Sequence, residues 1–270
     1  MTEKFAEFRM SEIFPKTFAY LKFSVPLRNP DYLKKVLPDP IVEFLDKHPK
    51  KRSVIGSYSD EKIKIYLLSL LEYETYFNLS KYDFHDKSLL LKFSKLIDSQ
   101  PRLQVLLVHE YEHCIQKKLG VGKTAFDIRH IADFDTHTVL GVADYLRKYL
   151  SQKYQIKLLL VKYGLNWREV GARLSEWIFL KIKDYDHYSI CVSDFLLQRD
   201  ITVIRRDYEA VTAGIIELKH HRFKNWFKLK RLRYIKYLYE EFIKYHDKMN
   251  KEAENIAKEL RQKYIEFKKA

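Results

Sequence analysis

The clearest pattern lies in the last third of the chain. Ile235, Leu238, Phe242, Tyr245, Met249, Ala253, Ile256, Leu260 and Tyr264 recur alternately three and four residues apart. That spacing draws one apolar stripe along a helix. It predicts a single long helix from about residue 224 to the end. A second helix is predicted from PRLQVLLVHEYEHCIQKKL, with Ser99 as its cap and Pro101 near the first position, where a missing N–H costs nothing. Gly120 and Gly122 end it. Thr124 then caps a following helix to about Leu150, so the two form an antiparallel hairpin. Residues 152–182 read as one or two further helices broken near Gly164. Within them NWREVGARLSEW is a core helix with Trp167 and Trp177 as packing residues.

Other stretches alternate. TFAYLKFSV (17–25), HYSICVSDFLL (187–197) and ITVIRR (201–206) read as strands. SLLLKFSKLI (88–97) fits a buried strand or a short helix equally. KIKIYLLSLLEYETYFNL (62–79) has helical length but mixed periodicity. The expected fold class is therefore α+β, predominantly α-helical, with a helical hairpin, a few short strands and a long C-terminal helix. Six of the seven prolines fall before residue 50 and cut that region into short pieces. Three parts are expected: a proline-rich arm or cap over 1–50, a core over 51–217, and a basic amphipathic helix over 218–270.

Composition narrows the class. Of 270 residues, 46% are hydrophobic, enough for a core and too many for a disordered chain. Two cysteines make no disulfide framework. No stretch has the roughly 20 apolar residues of a membrane span, and the N-terminus lacks a signal-peptide core. A soluble, cytoplasmic protein is expected. Abundant Lys and Glu with little Cys and Met is the thermophilic bias. The formal charge of +14 suits nucleic acid, an acidic protein or an anionic surface as partner.

Two chemical motifs lie nearly end to end in residues 105–126. Gly122-Lys123-Thr124 matches the tail of a phosphate-binding loop, but Lys117 stands where the first glycine belongs and a helix precedes it instead of a strand. It is better read as a turn. HEYEH, residues 109–113, fits its helix. His109 and His113 are four apart, so both imidazoles reach one ion from one face. Glu110 lies about 100° around, placed to act as a base on water without binding metal. A third ligand is needed. At about 1.5 Å per residue, the two histidines lie roughly 9 and 15 Å from the hairpin turn. The same distance into the next helix reaches Asp133. His137 and His130 are alternatives, as ligands or as partners that orient one.

These segments resemble the zincin metallopeptidases, in particular the gluzincin branch. VLLVHEYEHCIQ looks like the motif helix, DFDTH (133–137) like the later helix with the acidic ligand, and SLLLKFSKLI like the segment before the motif. The resemblance covers residues 88–150. It implies a bound Zn2+ that activates water, Glu110 as general base, and a peptide or protein as substrate. Two positions depart from the family pattern: Asp133 replaces the usual Glu, and His137 replaces the acidic residue four further on. An oxyanion donor is also implied, with Tyr185, His187, Tyr188 or His220-His221 as sources.

A different function class is written in LKHHRFKNWFKLKRLRYIK, 218–236. It holds eight Lys or Arg, no acid, and interleaved aromatics. Lys224, Lys228, Lys230, Arg231 and Arg233 could neutralise nucleic-acid phosphates while the rings stack, or the segment could lie on an anionic membrane. A non-catalytic nucleic-acid-binding protein is the alternative reading, as is an inactive zincin scaffold. The long helix beyond could pack back on the body or dimerise.

Overall fold

The computed structural model describes residues 4–28, 36–45, 56–67, 87–119, 167–183, 192–219 and 225–269. The chain order is β1 (Lys4–Arg9), α1 (Met10–Ile13), α2 (Pro15–Arg28), β2 (Ile41–Leu45), β3 (Gly56–Ser59) and β4 (Lys62–Tyr66). The helices α3 (Lys87–Ile97), α4 (Pro101–Leu119), α5 (Trp167–Ile182), α6 (Val192–Lys219) and α7 (Trp226–Lys269) follow. The protein is mostly helical with one small mixed sheet of order β1-β2-β4-β3.

The sheet is antiparallel at both ends and parallel in the middle. β1 pairs antiparallel with β2, β2 parallel with β4 (Val42 opposite Ile63), and β4 antiparallel with β3 (Tyr58 opposite Ile63). Asp60 and Glu61 join β3 to β4 with φ of 53° and 62°. Two left-handed residues give the turn whose twist matches the strands it joins. Ile63 and Ile65 face the core from β4, with Val42 and Phe44 from β2.

Helix α4 is the central element. Gln100 O accepts from the Leu103 and Gln104 amides at 2.9 and 3.0 Å, which opens the helix around Pro101. Leu103, Leu107, Val108, Tyr111 and Ile115 are buried, and so are Gln104, Glu110, Glu112 and Gln116. Such all-round burial places α4 between the sheet and the other helices. The Tyr111 hydroxyl donates to Pro38 O at 2.7 Å and ties α4 to the segment before β2. Asp98, 3% exposed, lies in the α3–α4 turn and caps α2. It accepts from the Lys16 and Thr17 amides at 2.8 Å each and from Thr17 Oγ1 at 2.6 Å, satisfying donors that open a helix. A buried trio joins three helices. Arg28 Nη1 donates to Ser175 Oγ at 2.9 Å, and Ser175 Oγ donates to Glu112 Oε2 at 2.9 Å.

Several expectations are corrected. Residues 17–25 are helical within α2, and 201–206 lie inside α6. Burial there has helical spacing, Thr17, Phe18, Leu21, Ser24 and Val25 in α2 and Ile201 and Ile204 in α6, and six to nine residues of mixed pattern do not separate it from strand. Of 187–197, the described part from Val192 is also helical. Residues 88–97 are helix α3, whereas 62–66 are strand β4. The long terminal helix forms as expected, with Ile235, Leu238, Phe242, Ala253, Leu260 and Tyr264 buried. One apolar core runs from Phe8 to Tyr264, across the expected boundaries at 50/51 and 217/218. β1 and β2 belong to the central sheet, and α6 spans residue 217. The helix expected over 125–150 lies outside the described residues. Among the described residues no helix is long and apolar enough to cross a membrane.

Candidate metal centre

His109 and His113 project from one face of α4, one turn apart, toward the opening of α5. Their Nε2 atoms stand 3.1 Å apart. Each ring is fixed through its other nitrogen. His113 Nδ1 donates to Gln116 Oε1 at 2.9 Å, and His109 Nδ1 donates to the Glu176 carboxylate. A carboxylate and an amide oxygen accept only, so both Nδ1 atoms carry a proton, and it is the Nε2 atoms that present lone pairs when the rings are neutral. Nε2 atoms 3.1 Å apart are held together by a shared proton on an imidazolium or by a metal cation between them.

The third group completes the cluster. Glu169, in the first turn of α5, places one oxygen 3.5 Å from His109 Nε2 and the other 3.7 Å from His113 Nε2. One ligand atom from each of the three residues lies within 4.8 Å of the others. Ligands about 2.0–2.1 Å from a tetrahedral ion stand roughly 3.3 Å from one another. The Nε2–Nε2 separation is close to that value and each Glu169 oxygen stands slightly beyond it from one histidine, so the donor set suits Zn2+ in chemistry and approaches it in size. Glu176, 2% exposed and seven residues after Glu169, is the carboxylate that orients the His109 ring. The side chains of His109 and His113 are 14% and 18% exposed, so the cluster is reachable from outside.

Glu110 lies beside this cluster, 4% exposed. Burial raises its pKa to about 7; Glu169 and Glu176 add to the rise, while His109 and the Tyr58 backbone amide oppose it. Burial alone would depress His109, yet the carboxylates of Glu176, Glu169 and Glu110 together hold it well above its ordinary value. The pocket therefore favours positive charge at the histidines. β3 fixes the other side. A side chain at Gly56 would bring its Cβ to 2.9 Å from Leu106 Cδ1 and 3.3 Å from both Glu110 Cγ and Oε1. Glycine lets the strand approach α4 here. β3 is an edge strand among the described residues, so the site lies along a sheet edge.

Of the residues singled out in the sequence, His109, Glu110 and His113 come together. Asp133, His130 and His137 lie outside the described residues, as do Tyr185, His187, Tyr188 and His220-His221. The carboxylate that joins the histidines is Glu169, in a segment read only as core helix. Its signal was present: Glu169, Arg173 and Glu176 fall at i, i+4 and i+7 on a helix buried from Gly171 to Leu180. Buried charge at that spacing needs a partner. No family model, curated protein or solved structure matches the chain.

Proposed function

We propose that the protein is a zinc-dependent hydrolase of the zincin type, a metallopeptidase that uses His109, His113 and Glu169 as ligands and Glu110 as general base. The observation that carries this reading is the pair of oriented imidazoles whose Nε2 atoms stand 3.1 Å apart, with the Glu169 carboxylate beside them. Zinc held there supplies Lewis acidity and a water that is nucleophilic near neutral pH. The chain supplies the rest. Glu110 accepts the proton of the attacking water and returns it to the leaving amine. Its pKa of about 7 suits a group that must both take and give a proton. Gln116 and Glu176 hold the imidazoles in the ligating tautomer. The β3 edge offers backbone groups to an extended peptide, which is how sheet edges recognise strands. An acidic residue from a helix after the motif helix also agrees with the gluzincin pattern, with Glu169 in the role assigned to Asp133 from spacing.

Glu110→Gln tests the mechanism. The variant should keep its zinc and lose hydrolysis of a fluorescent casein by at least 100-fold, within the usual range for general-base loss. Hydrolysis at the native rate would remove Glu110 from the reaction.

A further inference from the structure

The start of α7 carries an exposed face that the metal centre does not use. Trp226 and Phe227 are 54% and 72% exposed, and Tyr234 and Tyr237 are 38% exposed each. Trp226, Lys230, Arg233, Tyr234 and Tyr237 fall at i, i+4, i+7, i+8 and i+11, one arc of the helix. Lys228, Lys230, Arg231 and Arg233 are exposed around them, and the first acids after this stretch are Glu240 and Glu241. Ile235 points into the core from the opposite side, and Leu229 is buried at the border of the exposed arc. This stretch is therefore anchored, and its rings are outside because the buried face is already filled.

The ring geometry decides between partners. Trp226 and Phe227 pack edge to face, centroids 4.8 Å apart and planes at 78°. Lys230 Nζ sits 5.4 Å over the Trp226 ring. The indole thus has a cation over one face and a perpendicular ring beside it, which is a wedge and not an open platform for a base. The order along the helix also matters. The two most apolar rings stand at its first turn, and the tyrosines and cations follow behind them. That is the sequence of groups met on going outward from acyl chains through an interface, where Trp and Tyr collect and Lys and Arg snorkel toward anionic headgroups. Ile216, 58% exposed near the end of α6, adds an aliphatic group that stacking does not use. α6 and α7 run antiparallel, with Gly214 beside Leu232, so Ile216 belongs to the same end of the helix pair.

We infer that this end of the α6–α7 pair docks on an anionic lipid bilayer, with Trp226 and Phe227 inserted at the interface and Lys228, Lys230, Arg231 and Arg233 against the headgroups. It is a peripheral contact that leaves the metal centre free, and it stands whether or not that centre is catalytic.

The test is co-sedimentation of the full-length protein with vesicles of phosphatidylcholine alone or with 30% phosphatidylserine. Binding should need the anionic lipid and shift Trp emission to the blue. Trp226→Ala/Phe227→Ala, and separately Lys228→Ala/Lys230→Ala/Arg231→Ala/Arg233→Ala, should each lower vesicle binding at least tenfold, with far-UV circular dichroism unchanged. Three results would overturn the proposal: no sedimentation with anionic vesicles; full binding by the Trp226/Phe227 variant; or binding to single-stranded RNA, steeply salt-dependent, with none to vesicles. The last would assign the stripe to nucleic acid. Should the alanine variant lose helix signal, Trp226→Ser and Phe227→Ser made singly give the same reading.

Discussion

Glu176 is the most informative residue to change, because among the described residues its hydrogen bond into the site is to His109. Glu176→Gln keeps an oxygen that accepts from His109 Nδ1 but removes the charge. Glu176→Ala removes both and leaves a buried N–H without its acceptor, since the carboxylate it replaces is 2% exposed. Loss of a carboxylate behind a ligating histidine weakens metal binding by about 10–100-fold, or roughly 1.4–2.7 kcal/mol. The Gln variant should fall at the lower end of that range and the Ala variant at the upper end. Zinc competition against a chromophoric chelator at fixed pH gives the affinity. Urea unfolding with and without zinc gives a second reading. The increment that zinc adds to stability follows RT ln(1 + [Zn]/Kd), so a hundredfold weaker site loses about 2.7 kcal/mol of it at the same free zinc. The reasoning is refuted if Glu176→Ala binds zinc as tightly as the native protein. It is also refuted if the variants lose equal stability with and without zinc, since Glu176 would then only hold two helices together.

Other changes probe the frame around the site. Gly56→Ala would press on Leu106 and Glu110, whose atoms lie 2.9 and 3.3 Å from the new Cβ. It should keep zinc but lower hydrolysis about tenfold or more by displacing the base, and an unchanged rate would show that β3 does not position Glu110. Asp98→Ala should cost about 3 kcal/mol, because three donors from Lys16 and Thr17 lose a buried charged acceptor; Asp98→Asn should recover part of the loss in thermal unfolding. Glu61→Gly should stabilise by about 1 kcal/mol, since Glu61 holds a φ of 62° that only glycine adopts freely. A loss of stability there would point to the ion pair of Glu61 with Lys118 Nζ, at 3.4 Å, as the stronger effect.

What the sequence made legible follows from how local each feature is. The motif helix and the long terminal helix were readable because each is set by its own periodicity and end signals. The residues His109, Glu110 and His113 were readable for the same reason, since their chemistry depends on spacing within one helix. The third carboxylate was not local. A hairpin argument from turn length leads to Asp133, which lies outside the described residues; among those described, Glu169 stands with the histidines, 56 residues beyond His113. Its helix looked like packing because Trp177 and the small and apolar residues around it do pack. The misread strands at 17–25 and 201–206 failed for a different reason. Short runs such as these satisfy a period of two about as well as the helical spacing of three and four that their burial follows. The N-terminal residues looked like an arm because prolines punctuate them, yet β1 and β2 take their partners from within the central sheet.

The central claim is that one ion is held by His109, His113 and Glu169. Zinc K-edge X-ray absorption, with metal content, on the native protein, Glu169→Ala and Asp133→Ala tests it directly. About one zinc per chain is predicted, with two imidazole nitrogens and carboxylate oxygen at roughly 2.0–2.2 Å, lost in Glu169→Ala and retained in Asp133→Ala. No zinc after reconstitution, or zinc that survives Glu169→Ala and departs with Asp133→Ala, would contradict it.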